Sequence, residues 1–134
     1  MVTKNQFLGL FQNKIKLISS QNTYLKGIKG SAVSVFIQNY HENQQKPIVI
    51  ISNDNEKAAY LYNDLENLLP HQKIMFFPET YRTPYQIEKT TNANIQERTE
   101  VLNLISNTNF NGILVTYPKA INEKVTFKQQ LFKN

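Results

Sequence analysis

A chain of 134 residues, 40% hydrophobic and 19% charged, holds one ordinary domain and is too apolar to be disordered by composition. It has no cysteine, which excludes disulfides and thiolate metal sites, and no apolar run approaches the ~20 residues of a membrane helix. The net charge of +5 permits nucleic acid as a partner. The basic residues are lysines except Arg82 and Arg98, however, and an ordinary solvated surface explains dispersed lysines better than a base-reading one.

In chain order, Phe7, Leu10, Phe11, Ile15 and Ile18 recur at helical spacing and predict a helix over residues 4–19. The N-terminus lacks the uninterrupted apolar segment of a signal peptide, so a cytoplasmic protein is expected. Gln21-Asn22 ends the helical pattern, and Thr23-Tyr24-Leu25-Lys26 reads as a short strand. Next comes Gly27-Ile28-Lys29-Gly30-Ser31-Ala32-Val33-Ser34, where a strand-to-helix turn could hold phosphate. A working phosphate loop needs G-x-x-x-x-G-K-[ST], with backbone N–H groups cradling phosphate and the lysine reaching the outer phosphates. Gly27 and Ser34 fill the first and last positions. Ala32 replaces the second glycine and Val33 replaces the lysine. Two readings stay open from these residues: a phosphate loop that has lost its function, and a glycine-containing turn that never had it. The helix that follows, Ser31 to Glu42, carries Val33, Phe36, Ile37 and Tyr40 on one stripe, which predicts that Val33 faces the core.

His41 to Lys46 is a polar connector. Ile48-Val49-Ile50-Ile51 is the continuous β-branched run expected of a parallel strand covered on both faces. Ser52-Asn53-Asp54-Asn55 supplies turn and cap chemistry before a helix over 56–69, which Pro70 ends. Ile74 to Phe77 predicts a third strand, stopped by Pro78. The connection from Pro78 to Ala93 is long beside the usual ~2–6 residues and contains Glu79, Tyr81, Arg82 and Tyr85. It is either a partner surface or a packed excursion. A helix over 94–107 with Arg98, Val101, Leu102 and Ile105, a fourth strand over 112–116 and a short helix from Pro118 complete the pattern. Residues 125–134 carry lysines and isolated apolar residues without a partner.

Alternating helices and strands define an α/β fold: a parallel sheet in three layers with helices on both faces. Ligands of such sheets bind beyond the carboxyl ends of the strands, the edge that should hold both the 27–34 turn and the 78–93 connection. No catalytic constellation and no metal-ligand motif is present. His41 and His71 fall in polar helix-end segments and are expected at the surface. Asp54 lacks the acidic pair that a phospho-accepting receiver requires. No acidic pair that could hold magnesium follows a strand.

The phrases also occur in a recognisable order: Gly27 to Ala32 as G-x-x-G-S-A, the strand Ile48–Ser52, Leu61-Tyr62-Asn63-Asp64-Leu65, Phe77-Pro78 with Pro84-Tyr85, Glu97-Arg98 with Val101-Leu102, and Ile113–Thr116 with Ala120-Ile121. In that order and spacing, from about Phe7 to about Ile121, the chain resembles the N-terminal region of the bacterial transcription-repair coupling factor. The resemblance implies a degenerate P-loop NTPase fold of the RecA or UvrB-domain-1 type over 1–122, with 123–134 opening the connection to a next domain in a truncated fragment. It further implies no catalytic residue, no metal and no cofactor in this fragment. Gly27, Gly30, Ser31, Ala32, Val33 and Ser34 would be a vestigial phosphate loop. The parent would be an ATP-dependent DNA translocase whose motor, with ATP and magnesium, lies downstream. Its implied partners are UvrA, met through the wider UvrB-homology region, and RNA polymerase and DNA, met through other domains, with the fragment itself monomeric and away from membranes. Glu79, Tyr81, Arg82 and Tyr85 are the candidate partner surface. The alternative from charge alone is a basic α/β domain that binds DNA directly.

Overall fold

Three uninterrupted apolar runs build the sheet. Ile48–Ile51 forms β1, Ile74–Phe76 forms β2 and Ile113–Thr116 forms β3. The computed structural model describes residues 22–80, 88–106 and 109–124, with the backbone only at 88–91. The predicted helix over 4–19 and residues 125–134 lie outside the described residues. Within them the strands are all parallel in the order β1-β3-β2, with Ile50 and Phe76 both in register with Val115. Helices Ala32–Gln44 (α1), Asn55–Leu68 (α2), Glu88–Ile105 (α3) and Pro118–Ile121 (α4) connect and flank them. This is the expected α/β fold.

Local chemistry sets the helix ends. Asp54 caps α2 by accepting the Lys57 N–H at 2.8 Å. Pro118 occupies the first turn of α4, where its missing N–H costs nothing. Gln45 closes α1 in the left-handed region, its N–H bonded to the His41 carbonyl at 2.9 Å.

Register partners in a parallel sheet share a face, so Ile48, Ile50, Ile113, Val115, Ile74 and Phe76 point one way. On that side Phe76 meets Tyr62 of α2, ring centroids 5.6 Å apart. Phe77, one residue on, lies under Arg98 of α3, with the guanidinium carbon 4.1 Å from the ring centroid. Helices therefore stand on both sides of β2 and β3, which gives the three layers. The core centres on Leu65, Ile113, Val115 and Ala58, with Val101 reaching it from α3. β3, in the middle, is buried along its whole length.

Four expectations change. Thr23–Lys26 forms no strand; the segment is exposed, with Tyr24 87% accessible, because a four-residue run without a ladder partner has nothing to bury it. The described sheet therefore has three strands. The face of β1 that carries Val49 and Ile51 is left open by the described residues, the two side chains being 62% and 59% exposed. α3 starts at Glu88, six residues before the apolar stripe signals it, which shortens the 78–93 connection. His41 is buried, only 3% exposed, with its Nε2 3.3 Å from Gln72 Oε1: α1 packs on α2 and carries its polar C-terminal turn against the 69–73 turn. His71 is exposed, as its polar context predicts.

The asymmetry of β1 sets a testable contrast. Leu65→Ala should cost about 2–5 kcal/mol in urea unfolding, whereas Ile51→Ala on the open face should cost less than about 1 kcal/mol.

Candidate functional site

Two clusters form beyond the carboxyl ends of the strands. The first is built around the 27–34 turn. Gly27 and Gly30 take positive φ values of 87° and 56°, conformations that favour glycine and let the chain turn into α1. The Val33 N–H donates to the Gly30 carbonyl at 3.0 Å, and Ser31 stands at the N-cap position without a side-chain cap bond. The turn faces α2 across an open cavity of about 510 Å³. Gly30, Ser31, Val33 and Ser34 form one wall. Ser52, at the end of β1, closes the floor, and Lys57, Tyr60, Leu61 and Asp64 of α2 form the opposite wall.

The chemistry of this cavity does not suit phosphate. Val33, in the lysine slot, is half-buried and lines the cavity, where it offers no charge and no donor; it does not join the core as its helical position suggests, and Ile37 does so instead. Ser34, in the hydroxyl slot, is 1% exposed and its Oγ donates to Asp64 Oδ2 at 2.9 Å, so that hydroxyl is already committed. Asp64 also brings a carboxylate to the wall, which repels anions. The one cation of the lining, Lys57, is largely exposed and shares its charge with Asp54 Oδ2 at 3.7 Å, the same residue that caps α2. A triphosphate would meet a valine and a carboxylate where it requires an ammonium. Asp64 was not singled out in the sequence; only its position two turns into a helix facing the turn could have pointed to it.

The second cluster ties the ends of β2 and β3 to α3. Arg98 is 5% exposed; its Nη1 donates to the carbonyls of Pro78 (2.7 Å) and Ala120 (3.0 Å) and lies 3.5 Å from Glu123 Oε2. Glu123 in turn accepts from the N–H of Thr80 at 2.8 Å and its hydroxyl at 2.7 Å. The Glu79 N–H donates to the Tyr117 hydroxyl at 3.0 Å, Asn94 donates to the Glu79 carbonyl at 3.0 Å, and Lys119 pairs with Glu79 Oε2 at 2.9 Å. Burial pulls the Arg98 guanidinium below its ordinary pKa, opposed by the Glu123 carboxylate, and burial lifts the Tyr117 phenol above its own. Of the candidate partner surface, Glu79 belongs to this network with its side chain 19% exposed, and Tyr81, Arg82 and Tyr85 lie outside the described residues. No group of three or more ligating side chains that could hold a metal occurs among the described residues.

A smaller cleft of about 240 Å³ opens at the outer edge of β2, lined by Tyr62, Glu66, Lys73, Glu97 and Glu100. Burial, and after it the neighbouring Glu100, raises the Glu97 carboxyl above its ordinary value.

No protein-family model matches the chain, and no solved structure matches it. Among curated proteins it is similar to UvrABC system protein B of Mycoplasma mobile, 31% identical over 73% of this chain and 16% of that protein. UvrABC system protein B of Methanococcus maripaludis is 30% identical over 54% of this chain and 11% of its own length, and that of Borreliella afzelii 30% over 52% and 10%. The chain thus spans about a sixth or less of these relatives. The matches support a UvrB-like domain. Among the described residues, no helix is long and apolar enough to cross a membrane.

Two outcomes follow from these geometries. Arg98→Ala leaves two carbonyls without their donor and Glu123 without its counter-ion, and should lower unfolding free energy in urea by about 2–4 kcal/mol. A carboxyl raised on folding adds stability that is complete below its unfolded pKa of about 4.3 and disappears as pH rises through the folded value. Glu97→Gln should therefore raise the Tm at pH 7, with the gain vanishing below about pH 4.

Proposed function

We propose that this chain is the N-terminal module of a transcription-repair coupling factor: a UvrB-like domain that acts in nucleotide excision repair by contact rather than by catalysis. In this reading it belongs to the region that links stalled RNA polymerase to UvrA. ATP hydrolysis and DNA translocation fall to a motor elsewhere in the parent protein, and this domain holds neither nucleotide nor metal. The observation that carries the reading is the 27–34 turn, where Val33 stands in the ammonium position and the Ser34 hydroxyl is held by Asp64 on the same cavity. The similarity to UvrABC system protein B supports the placement in excision repair. The α/β scaffold around the turn supports descent from a nucleotide-binding fold that kept its frame after losing the pocket's charge.

Thermal denaturation with Mg-ATP tests the silence of the turn. No change in Tm up to millimolar nucleotide is expected, and a Tm rising with concentration as RT ln(1 + [L]/Kd) would overturn it. Val33→Lys alone should not restore binding, because Asp64 would pair with the new ammonium. Capture of purified UvrA by this chain and by one extended through the following domain tests the recruiting role. Stronger capture by the extended chain is expected, and equal capture would move the contact into this domain.

A further inference from the structure

The entry to β3 is chemically fragile and structurally fixed at once. Asn111-Gly112 stands directly before Ile113, and nowhere else in the chain does glycine follow asparagine. Asn111 is exposed, with Gly112 buried just inside it. No side chain can stand at position 112: a Cβ there would lie 2.5 Å from the Lys73 carbonyl oxygen and 2.9 Å from the Phe110 ring. The first bonds of the two ladders use the Gly112 carbonyl, which accepts from the Ile48 N–H at 3.0 Å, and the Ile113 N–H, which donates to Lys73 at 2.9 Å. The Gly112 N–H donates no hydrogen bond among the described residues.

We propose that Asn111 is a site of spontaneous covalent modification, converting to aspartate and isoaspartate through a cyclic imide formed with Gly112. The Gly112 nitrogen, having lost its proton, attacks Asn111 Cγ. The N–Cγ bond forms, the Cγ–Nδ2 bond breaks, and Nδ2 leaves as ammonia. One water then opens the ring at either carbonyl. Opening on one side gives aspartate; opening on the other gives isoaspartate, whose Cβ has entered the main chain. No electron is gained or lost. Asparagine is a thermolabile residue, and ring closure is hindered chiefly by the side chain that follows, which glycine lacks. The remaining asparagines are placed otherwise. Asn39, Asn43 and Asn67 lie in helices and donate to the carbonyls of Val35, Asn39 and Asn63, and Asn94 donates to that of Glu79. Asn53, Asn109 and Asn122 precede Asp54, Phe110 and Glu123, whose side chains obstruct the ring. The close approach of Lys73 therefore keeps the reactive pair in place by demanding glycine. Isoaspartate lengthens the main chain by one carbon directly ahead of the groups that start both ladders, and Ile113 beside them is fully buried. Aspartate adds an exposed charge and leaves the ladders intact.

The test is peptide mapping by mass spectrometry of the whole folded chain, held in mildly alkaline and in mildly acidic buffer. Conversion of amide to acid at Asn111 should run at least tenfold faster than at any other asparagine, accelerate in alkali and give mainly isoaspartate. A synthetic peptide of residues 109–115 supplies the rate without the fold, and the folded rate should fall within tenfold of it. Folded Asn111 reacting more slowly than that, another asparagine reacting first, or no acceleration by alkali would overturn the proposal. Asn111→Ser, at an exposed position, should abolish the reaction without changing the Tm; acid formation persisting at residues 109–115 would overturn the assignment to Asn111. The isoaspartyl chain, separated by chromatography, should melt below Asn111→Asp, and equal melting would overturn the damage inferred for the ladders.

Discussion

A single buried guanidinium holds the carboxyl edge of this domain together. Arg98 projects from α3 and binds carbonyls that follow β2 and precede the end of α4, with Glu123 as its counter-ion and Phe77 beneath it. Those carbonyls belong to chain leaving the sheet, where ladder bonds have ended and polar groups would otherwise be buried unsatisfied. Nη1 alone meets that need at both points, while Nη2 is buried without a hydrogen-bond partner among the described residues. The charge requires Glu123 in place, and Glu123 in turn orders Thr80 at the start of the 78–93 connection. The ends of β2 and β3 and the face of α3 are thus one unit.

The opposite end of the same edge is built on different terms. There the 27–34 turn and α2 meet across a cavity with a single buried polar contact, Ser34 to Asp64. α1 packs on α2 and contributes Ile37 to the core, but its first turn does not close over the space beside Ser52. The space beside the turn is therefore open rather than filled. Val33 shares the face of Ile37 but stands one turn nearer the start of α1, where it lines the cavity instead of reaching the core.

How far the sequence reveals this follows from the range of each signal. β-Branched runs bounded by turn residues mark β1, β2 and β3, because apolar continuity is local and strong. The Asp54 cap and Pro118 mark helix starts for the same reason. The strand expected at Thr23–Lys26 fails because a strand exists only through a neighbour, which four residues do not specify. The burial of His41 depends on Gln72, thirty-one positions away, and the exposure of Val49 and Ile51 depends on which distant elements pack over β1; neither is encoded in any short window. At the candidate site the missing lysine and glycine are legible at Val33 and Ala32. The carboxylate that completes the change is not, since Asp64 reaches Ser34 only through the packing of two helices.

That carboxylate also separates the charge of the molecule from the charge of its site. A net +5 would suggest anionic partners, yet field at a cleft is set by the groups lining it, and remote exposed lysines are screened within roughly 10 Å at ordinary salt. At the 27–34 turn the charged residues are Lys29 in the turn itself and, across the cavity, Lys57, paired with the helix-capping Asp54, and Asp64. The weak positive end of α1 is worth roughly 0.3–1 kcal/mol to an anion there, less than a carboxylate a few ångströms away takes back in a partly desolvated wall. The substitution of Val33 and the placement of Asp64 thus act in the same direction. A valine offers phosphate no attraction and the Asp64 carboxylate repels it, so a lysine placed at position 33 would meet a carboxylate across the cavity before any nucleotide arrives.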